Sequence, residues 1–204
     1  MVLRDDIRTH LGSDVLVDGE RWPGLVHTID HPDAFVLVDT GMIDSTPELD
    51  EEWGARPHPL PDELVARVTL VVNTHLHFDH CGGNRRFPGI PIHVQARELV
   101  DARTEEDYTI PEWVDFPGAT YVEHDGEAEI LPGVRLLPAP GHTAGHQIVV
   151  VETDEGPVVL GGDVAHSFAE LGCGETPGQR LVLDLAAPTY LAHVERPHVP
   201  RRSE

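Results

Sequence analysis

Residues 75–80 read HLHFDH, directly after the apolar run VTLVVN. Three histidines and one aspartate in six positions constrain this chain more than any other stretch. Imidazole nitrogens and a carboxylate oxygen together suit Zn²⁺ and its neighbours. The β-branched content of VTLVVN predicts a buried strand over 68–73. If the chain stays extended past it, His75 and His77 project to one side, because strand side chains alternate with period two. Two imidazoles on one side can share an ion. A helix over 79–86 then sends Asp79 and His80 elsewhere, toward a second, neighbouring ion. The plain alternative is a solvated loop. That reading suits a lone HxH better than HxHxDH at the end of a buried strand.

Two further stretches repeat the pattern of a strand running into a ligand. PAPGHTAGH (138–146) places His142 on a Pro- and Gly-built turn. VVLGGDVAH (158–166) runs a strand into Gly161, Gly162 and Asp163. Each is weak alone. Together with HLHFDH they place three ligand groups at strand ends, in a chain rich in histidine (14 of 204 residues).

The rest of the chain alternates strands and helices. Strands are predicted at 14–19, 24–30 and 33–41, the last ending in Asp39-Thr40-Gly41. A Pro- and acid-rich loop follows at 44–61, then a helix over 61–68 opened by Pro61, Asp62 and Glu63. IPIHV (90–94) reads as a strand and QARELVDART (95–104) as a helix. Residues 104–118 read as an irregular segment carrying Tyr108, Trp113 and Phe116, either a substrate lid or packing over the core. ATYVEH, AEILPGVRLLPAP, HQIVVVET and PVVLGGD are strand-like, GQRLVLDLA (178–186) is helical, and TYLAHVE (189–195) closes as a strand. The length suits one domain spanning 1–204. The pattern predicts an α+β architecture, two mixed sheets packed face to face and flanked by helices.

These motifs resemble those of the metallo-β-lactamase-fold hydrolase superfamily. HLHFDH matches its HxHxDH signature, PGHTAGH its second motif and GGD its third, and DTG at 39–41 resembles a turn after an early strand. The resemblance implies an αββα sandwich with two divalent ions at one edge, Zn²⁺ first and Fe or Mn as alternatives. It implies that His75, His77 and His142 hold one ion, that Asp79 and His80 hold the other, and that Asp163 bridges them. It also implies one more histidine near the C-terminus. His166 lies too close to Asp163 to come from a separate strand end. His193 ends the apolar run TYLAH and is the assignment, with His198 as the alternative. His146 is expected to orient His142. Cys81 reads as a small buried residue beside the site.

The resemblance also implies a chemistry. Such a centre carries a small positive charge after two carboxylates and a bridging hydroxide, and it favours the negative charge of a tetrahedral intermediate. Asp79 then doubles as the catalytic residue that passes a proton to the leaving group. The expected activity is hydrolysis of a small-molecule ester, lactone or thioester. An aspartate at 163 resembles the glyoxalase II-like and acyl-homoserine lactonase-like branches more than the β-lactamases. The stretch after Asp163 is too short for the glutathione-binding helical domain of glyoxalase II. Tyr108 and Tyr121 are the candidates for the substrate tyrosine expected of a lactonase. The rival readings are a mononuclear iron persulfide dioxygenase and a β-lactamase.

Composition narrows the partners. The formal charge is −22, every basic residue is Arg, and the chain has no Lys. Such a surface repels phosphate backbones, so a small-molecule substrate is expected and nucleic acid is not. No apolar run reaches membrane-spanning length, and the N-terminus carries no secretory h-region. Two cysteines make no disulfide framework, which fits a reducing cytoplasm.

Overall fold

The computed structural model of the chain describes residues 1–203. Its first sheet has seven strands: β1 (Ile7–Val17), β2 (Glu20–His31), β3 (Ala34–Val38), β4 (Arg56–Pro57), β5 (Leu70–Val72), β6 (Pro91–Gln95) and β7 (Thr120–His124), in the order β4-β1-β2-β3-β5-β6-β7. The second has five: β8 (Ala128–Leu131), β9 (Val134–Pro138), β10 (Gln147–Thr153), β11 (Gly156–Leu160) and β12 (Thr189–Tyr190), in the order β12-β11-β10-β9-β8. Both sheets are mixed. β1, β2 and β3 pair antiparallel, while β3, β5, β6 and β7 run parallel. β8 through β11 pair antiparallel, and β12 joins β11 in parallel.

Strand periodicity explains the two layers. Val36, Val38, Leu70 and Val72 face Val134, Leu136, Val149, Val151, Val158 and Leu160 in the core between the sheets. The intervening Leu37 and Val71 point outward, against Leu60, Phe87 and Phe116. Ile148, Val150 and Val159 point the other way, toward helices α6 (Phe168–Cys173) and α7 (Pro177–Leu185). These runs are apolar at consecutive positions because both faces of each strand are covered. The result is the expected αββα sandwich.

The remaining helices are α1 (Pro47–Trp53), α2 (Asp62–Val65), α3 (Phe78–Cys81), α4 (Ala96–Thr104) and α5 (Pro111–Val114). Several boundaries differ from the sequence reading. β1 starts at Ile7, because residues 7–13 pair with β2 across a long hairpin. The predicted loop 44–61 contains α1. Thr46 caps it through a side-chain bond from Leu49 N, and Pro47 occupies the first turn, where its missing N–H costs nothing. The Pro and acidic residues read as loop composition are first-turn residues. The irregular segment 104–118 contains α5, and α6, which the sequence reading did not place, follows its cap Ser167. The strand predicted at 189–195 is only β12, since the chain turns after Tyr190. No helix among the described residues is long and apolar enough to cross a membrane.

Candidate metal centre

The connections at one edge of the two sheets carry the seven residues assigned as ligands from the sequence. β3 runs into Asp39, β5 into Asn73–His80, β10 is preceded by Gly141–His146, β11 runs into Asp163, and β12 is followed by His193. The helix α3 begins at Phe78, so His77 is its extended N-cap residue (φ −65°, ψ 155°). That break turns Asp79 and His80 away from His75 and His77. The strand itself stops at Val72, so the shared side of His75 and His77 comes from the irregular turn and not from an extended strand.

Four overlapping groups of ligand atoms converge. His75, His77 and His142 form one and Asp79, His80 and His193 another, while Asp163 joins His75 and His80 in a third and His142 and His166 in a fourth. His142 Nε2 and His77 Nδ1 stand 3.0 Å apart. Asp163 lies between the sets. Its Oδ1 is 3.4 Å from His80 Nε2, while its Oδ2 is 3.2 Å from His193 Nε2 and 3.6 Å from His142 Nε2. Asp79 Oδ2 is 3.6 Å from His80 Nε2.

The surroundings fix which nitrogen of each ring faces inward. Asp39 Oδ2 accepts from His80 Nδ1 at 3.0 Å and from the Thr74 hydroxyl at 2.8 Å. Thr74 Oγ1 in turn lies 3.2 Å from His75 Nδ1. The Pro23 carbonyl accepts from His193 Nδ1 at 2.7 Å. With Nδ1 protonated in each case, His75, His80 and His193 turn their Nε2 lone pairs to the centre. Asp39 holds a left-handed backbone (φ 58°) to do this, a conformation Asp tolerates better than most residues.

Several of these inward atoms are buried with nothing to bond. His75 Nε2, His80 Nε2 and Asp163 Oδ1 have no hydrogen-bond partner among the described residues. Buried polar atoms are normally paired, so three orphans converging on one point fit a donor set for cations. The electrostatics of the three-histidine set agree, while His80, despite its burial, is raised well above the ordinary value by Asp163, Asp79 and Asp39. Burial lowers the pKa of His75 well below the ordinary value, and the neighbouring imidazoles push it further. Burial likewise pulls His142 down to about 4, against the raising effect of Asp163. Burial opposes protonation of His193 too, but Asp163 outweighs it and raises the pKa to about 9.

Four side chains differ from the sequence expectation or its alternatives. His198 forms a bridge with Thr189 and packs edge-to-face on Phe168 (5.2 Å), away from the centre. His146 does not hydrogen-bond His142. Its ring packs 5.3 Å from His75, in a fully buried position. Tyr121 sends its hydroxyl to the Val114 carbonyl (3.0 Å) and does not line the cavity. His166, set aside on spacing, does line it. Its Nε2 is 3.9 Å from Asp163 Oδ2, and its ring packs at a tilt 5.5 Å from Trp22. The turn Asp163–His166 folds back instead of leaving the edge, and nothing in the spacing signals that.

Above the centre lies a cavity of about 870 Å³. Val15, Val17, Trp22, Leu49, Trp53, Phe78 and Ile110 supply its apolar wall. Glu48, Glu52 and Asp107 add exposed carboxylates. The aromatic segment divides: Tyr108 lines the cavity, whereas Trp113 and Phe116 are buried in the core.

An edge-of-sandwich centre of histidines and aspartates under an apolar cavity defines a metallohydrolase class of site. The metallo-beta-lactamase superfamily profile matches residues 19–187. The chain is 33% identical over 190 residues to an N-acyl homoserine lactonase of a Bacillus species, covering 82% of this chain and 72% of that one. It is 35% identical over 161 residues to the N-acyl homoserine lactonase of Bacillus thuringiensis (68% and 61%). Its fold is similar to a B. thuringiensis AiiA variant with N-decanoyl-L-homoserine bound at the active site, with TM-score 0.74, 22% identity, and coverage of 95% and 94%. A dizinc quorum-quenching lactonase, AidC, is also similar, at TM-score 0.65, 16% identity, and coverage of 86% and 74%. The chain belongs to the metallo-beta-lactamase superfamily and is a metal-dependent hydrolase.

Proposed function

We propose that this chain is one catalytic domain that opens neutral lactones bearing an acyl chain, with N-acyl homoserine lactones as the substrate class. His75, His77 and His142 would hold one divalent ion and Asp79, His80 and His193 the other. Asp163 would contribute one oxygen to each. Zn²⁺ suits this donor set, and its dizinc relative supports it. When bound, the ions supply Lewis acidity toward a carbonyl oxygen and a water acidified toward neutrality.

The residues do the rest. Asp79 takes the proton of the attacking water on its carboxylate and returns it to the ring oxygen as the C–O bond breaks. The products are a carboxylate and an alcohol on one molecule. Trp22, Leu49, Phe78 and Ile110 bury the acyl chain and exclude water beside the reacting bond. His166 presents a polar nitrogen on the same wall.

The observation that carries the choice of a neutral lactone is the cavity lining. Glu48, Glu52 and Asp107 repel anionic substrates such as phosphodiesters, β-lactam carboxylates and glutathione thioesters. They also favour departure of the carboxylate product. The same argument makes nucleic acid a poor partner. Two free cysteines, Cys81 and Cys173, are consistent with a reducing cytoplasmic setting.

The test is a substrate panel at fixed metal content: an N-acyl homoserine lactone, an aryl ester, a glutathione thioester and a β-lactam. The reading predicts that kcat/KM is highest for the lactone and rises with acyl length. Equal or better turnover of the thioester or β-lactam would reject it.

A further inference from the structure

Glu98 belongs to neither the ligand set nor the cavity wall, yet it ties both together. It sits in the first turn of α4 and is fully buried. Its Oε1 accepts the backbone N–H of Leu76 at 2.8 Å and the hydroxyl of Tyr108. Its Oε2 accepts the hydroxyl of Thr143 at 2.6 Å. Leu76 lies between His75 and His77, and Thr143 follows His142. The Tyr108 ring packs 4.9 Å from His77. The backbone is equally tight here, since a Cβ on Gly145 would lie 2.2 Å from Glu98 N.

All three partners donate, which suits an ionised carboxylate that only accepts. No arginine pairs with it among the described residues; the neighbouring Arg97 pairs with Asp101 at 2.7 Å. A buried carboxylate without a cation is costly to keep unless its hydrogen bonds are all made. Loss of any one donor therefore disturbs the other two. Oε1 serves the HLH turn and the tyrosine at once, so movement of that turn moves the tyrosine's anchor.

We propose that Glu98 is a positioning residue for the three-histidine half of the centre, and that through Tyr108 it seats segment 105–110 over the cavity only when that half is assembled. The inference rests on the two-ion reading above. A merely structural role would lower thermal stability evenly. Positioning instead acts on one ion of the two and on one segment.

The experiment uses the full chain as wild type, Glu98→Gln and Tyr108→Phe. Zinc content is followed during chelator titration. Cleavage after Glu105 and Glu106, both exposed, is followed with a protease specific for acidic residues, with and without added Zn²⁺. In the wild type, two zinc ions bind and slow cleavage. In Glu98→Gln, one of the two ions yields to about tenfold to a hundredfold less chelator, and zinc no longer slows cleavage. Tyr108→Phe keeps both ions but loses the zinc-dependent slowing. The inference is overturned if Glu98→Gln matches the wild type in both measurements, or if zinc still slows cleavage of Tyr108→Phe. Should Glu98→Gln fail to fold, the Tyr108→Phe result decides alone. A wild type that binds no zinc would sink the two-ion reading, and this inference with it.

Discussion

Asp39 Oδ2 accepts a hydrogen bond from His80 Nδ1 at 3.0 Å, and the same oxygen holds Thr74, which contacts His75. One buried carboxylate thus orients a ring in each proposed ligand set. Asp39→Asn removes the charge and offers a donor where acceptors are needed. Zinc affinity should fall by about tenfold to a hundredfold, with a smaller loss of melting temperature. Competition against a chromophoric chelator measures it; an unchanged affinity would remove Asp39 from the account.

His193 and His166 both approach Asp163 Oδ2, at 3.2 and 3.9 Å. They differ in support, because His193 Nδ1 is anchored on the Pro23 carbonyl (2.7 Å). His166 instead faces Glu170 at 3.4 Å, and its side chain is one-third exposed. His193→Ala should release one of two zinc equivalents. His166→Ala should retain both and change KM for the lactone. Metal analysis after gel filtration separates them, and the opposite pattern would exchange their roles.

Gly162 holds φ +52°, and a Cβ there would lie 2.5 Å from Thr74 Oγ1. The turn after β11 presses directly on the turn that carries His75. Gly162→Ala combines backbone strain with a clash that rigid neighbours cannot relieve, costing about 1–3 kcal/mol of stability. Urea denaturation tests this, and a loss below the error of the method would show that the loop yields.

The metal-free protein should depend on pH through His193 and Asp163. Burial disfavours the charged His193, but Asp163 raises its pKa to about 9. A raised pKa stabilises the fold fully below the unfolded value near 6.5, and the effect is lost as pH climbs through about 9. Burial alone would raise Asp163, but His193 and His80 hold its pKa well below the usual carboxylate range. Its contribution is present above the unfolded carboxylate value and lost in acid. The melting temperature of chelator-treated protein should therefore fall between pH 7 and 9. A flat profile there would deny the pair.

HLHFDH was legible because its spacing does not depend on an extended strand: an irregular turn after Val72 and a helix start at Phe78 separate the two pairs of side chains. Val36, Leu37 and Val38 show why the sandwich was legible too, since a run apolar at every position needs cover on both faces. His166 was not legible. Three residues after Asp163 it returns to the centre because the chain turns there, and a turn of that kind leaves no periodic signal. Glu98 was hidden for another reason. In QARELVDART it reads as an exposed helical charge, and only the packing of three distant segments makes it a buried acceptor. α1 was missed because Pro, Glu and Asp signal a helix start as readily as a loop.

Two ions held by these residues are expected to open a lactone. The most direct test takes one sample of chain loaded with Zn²⁺, counts metal per chain, and follows proton release on an N-acyl homoserine lactone. The expected result is two zinc equivalents, one proton per ring opened, and loss of turnover when Asp79→Asn replaces the wild type at equal metal content. A single iron equivalent with oxygen uptake on a persulfide, or undiminished lactone turnover by Asp79→Asn, would contradict it.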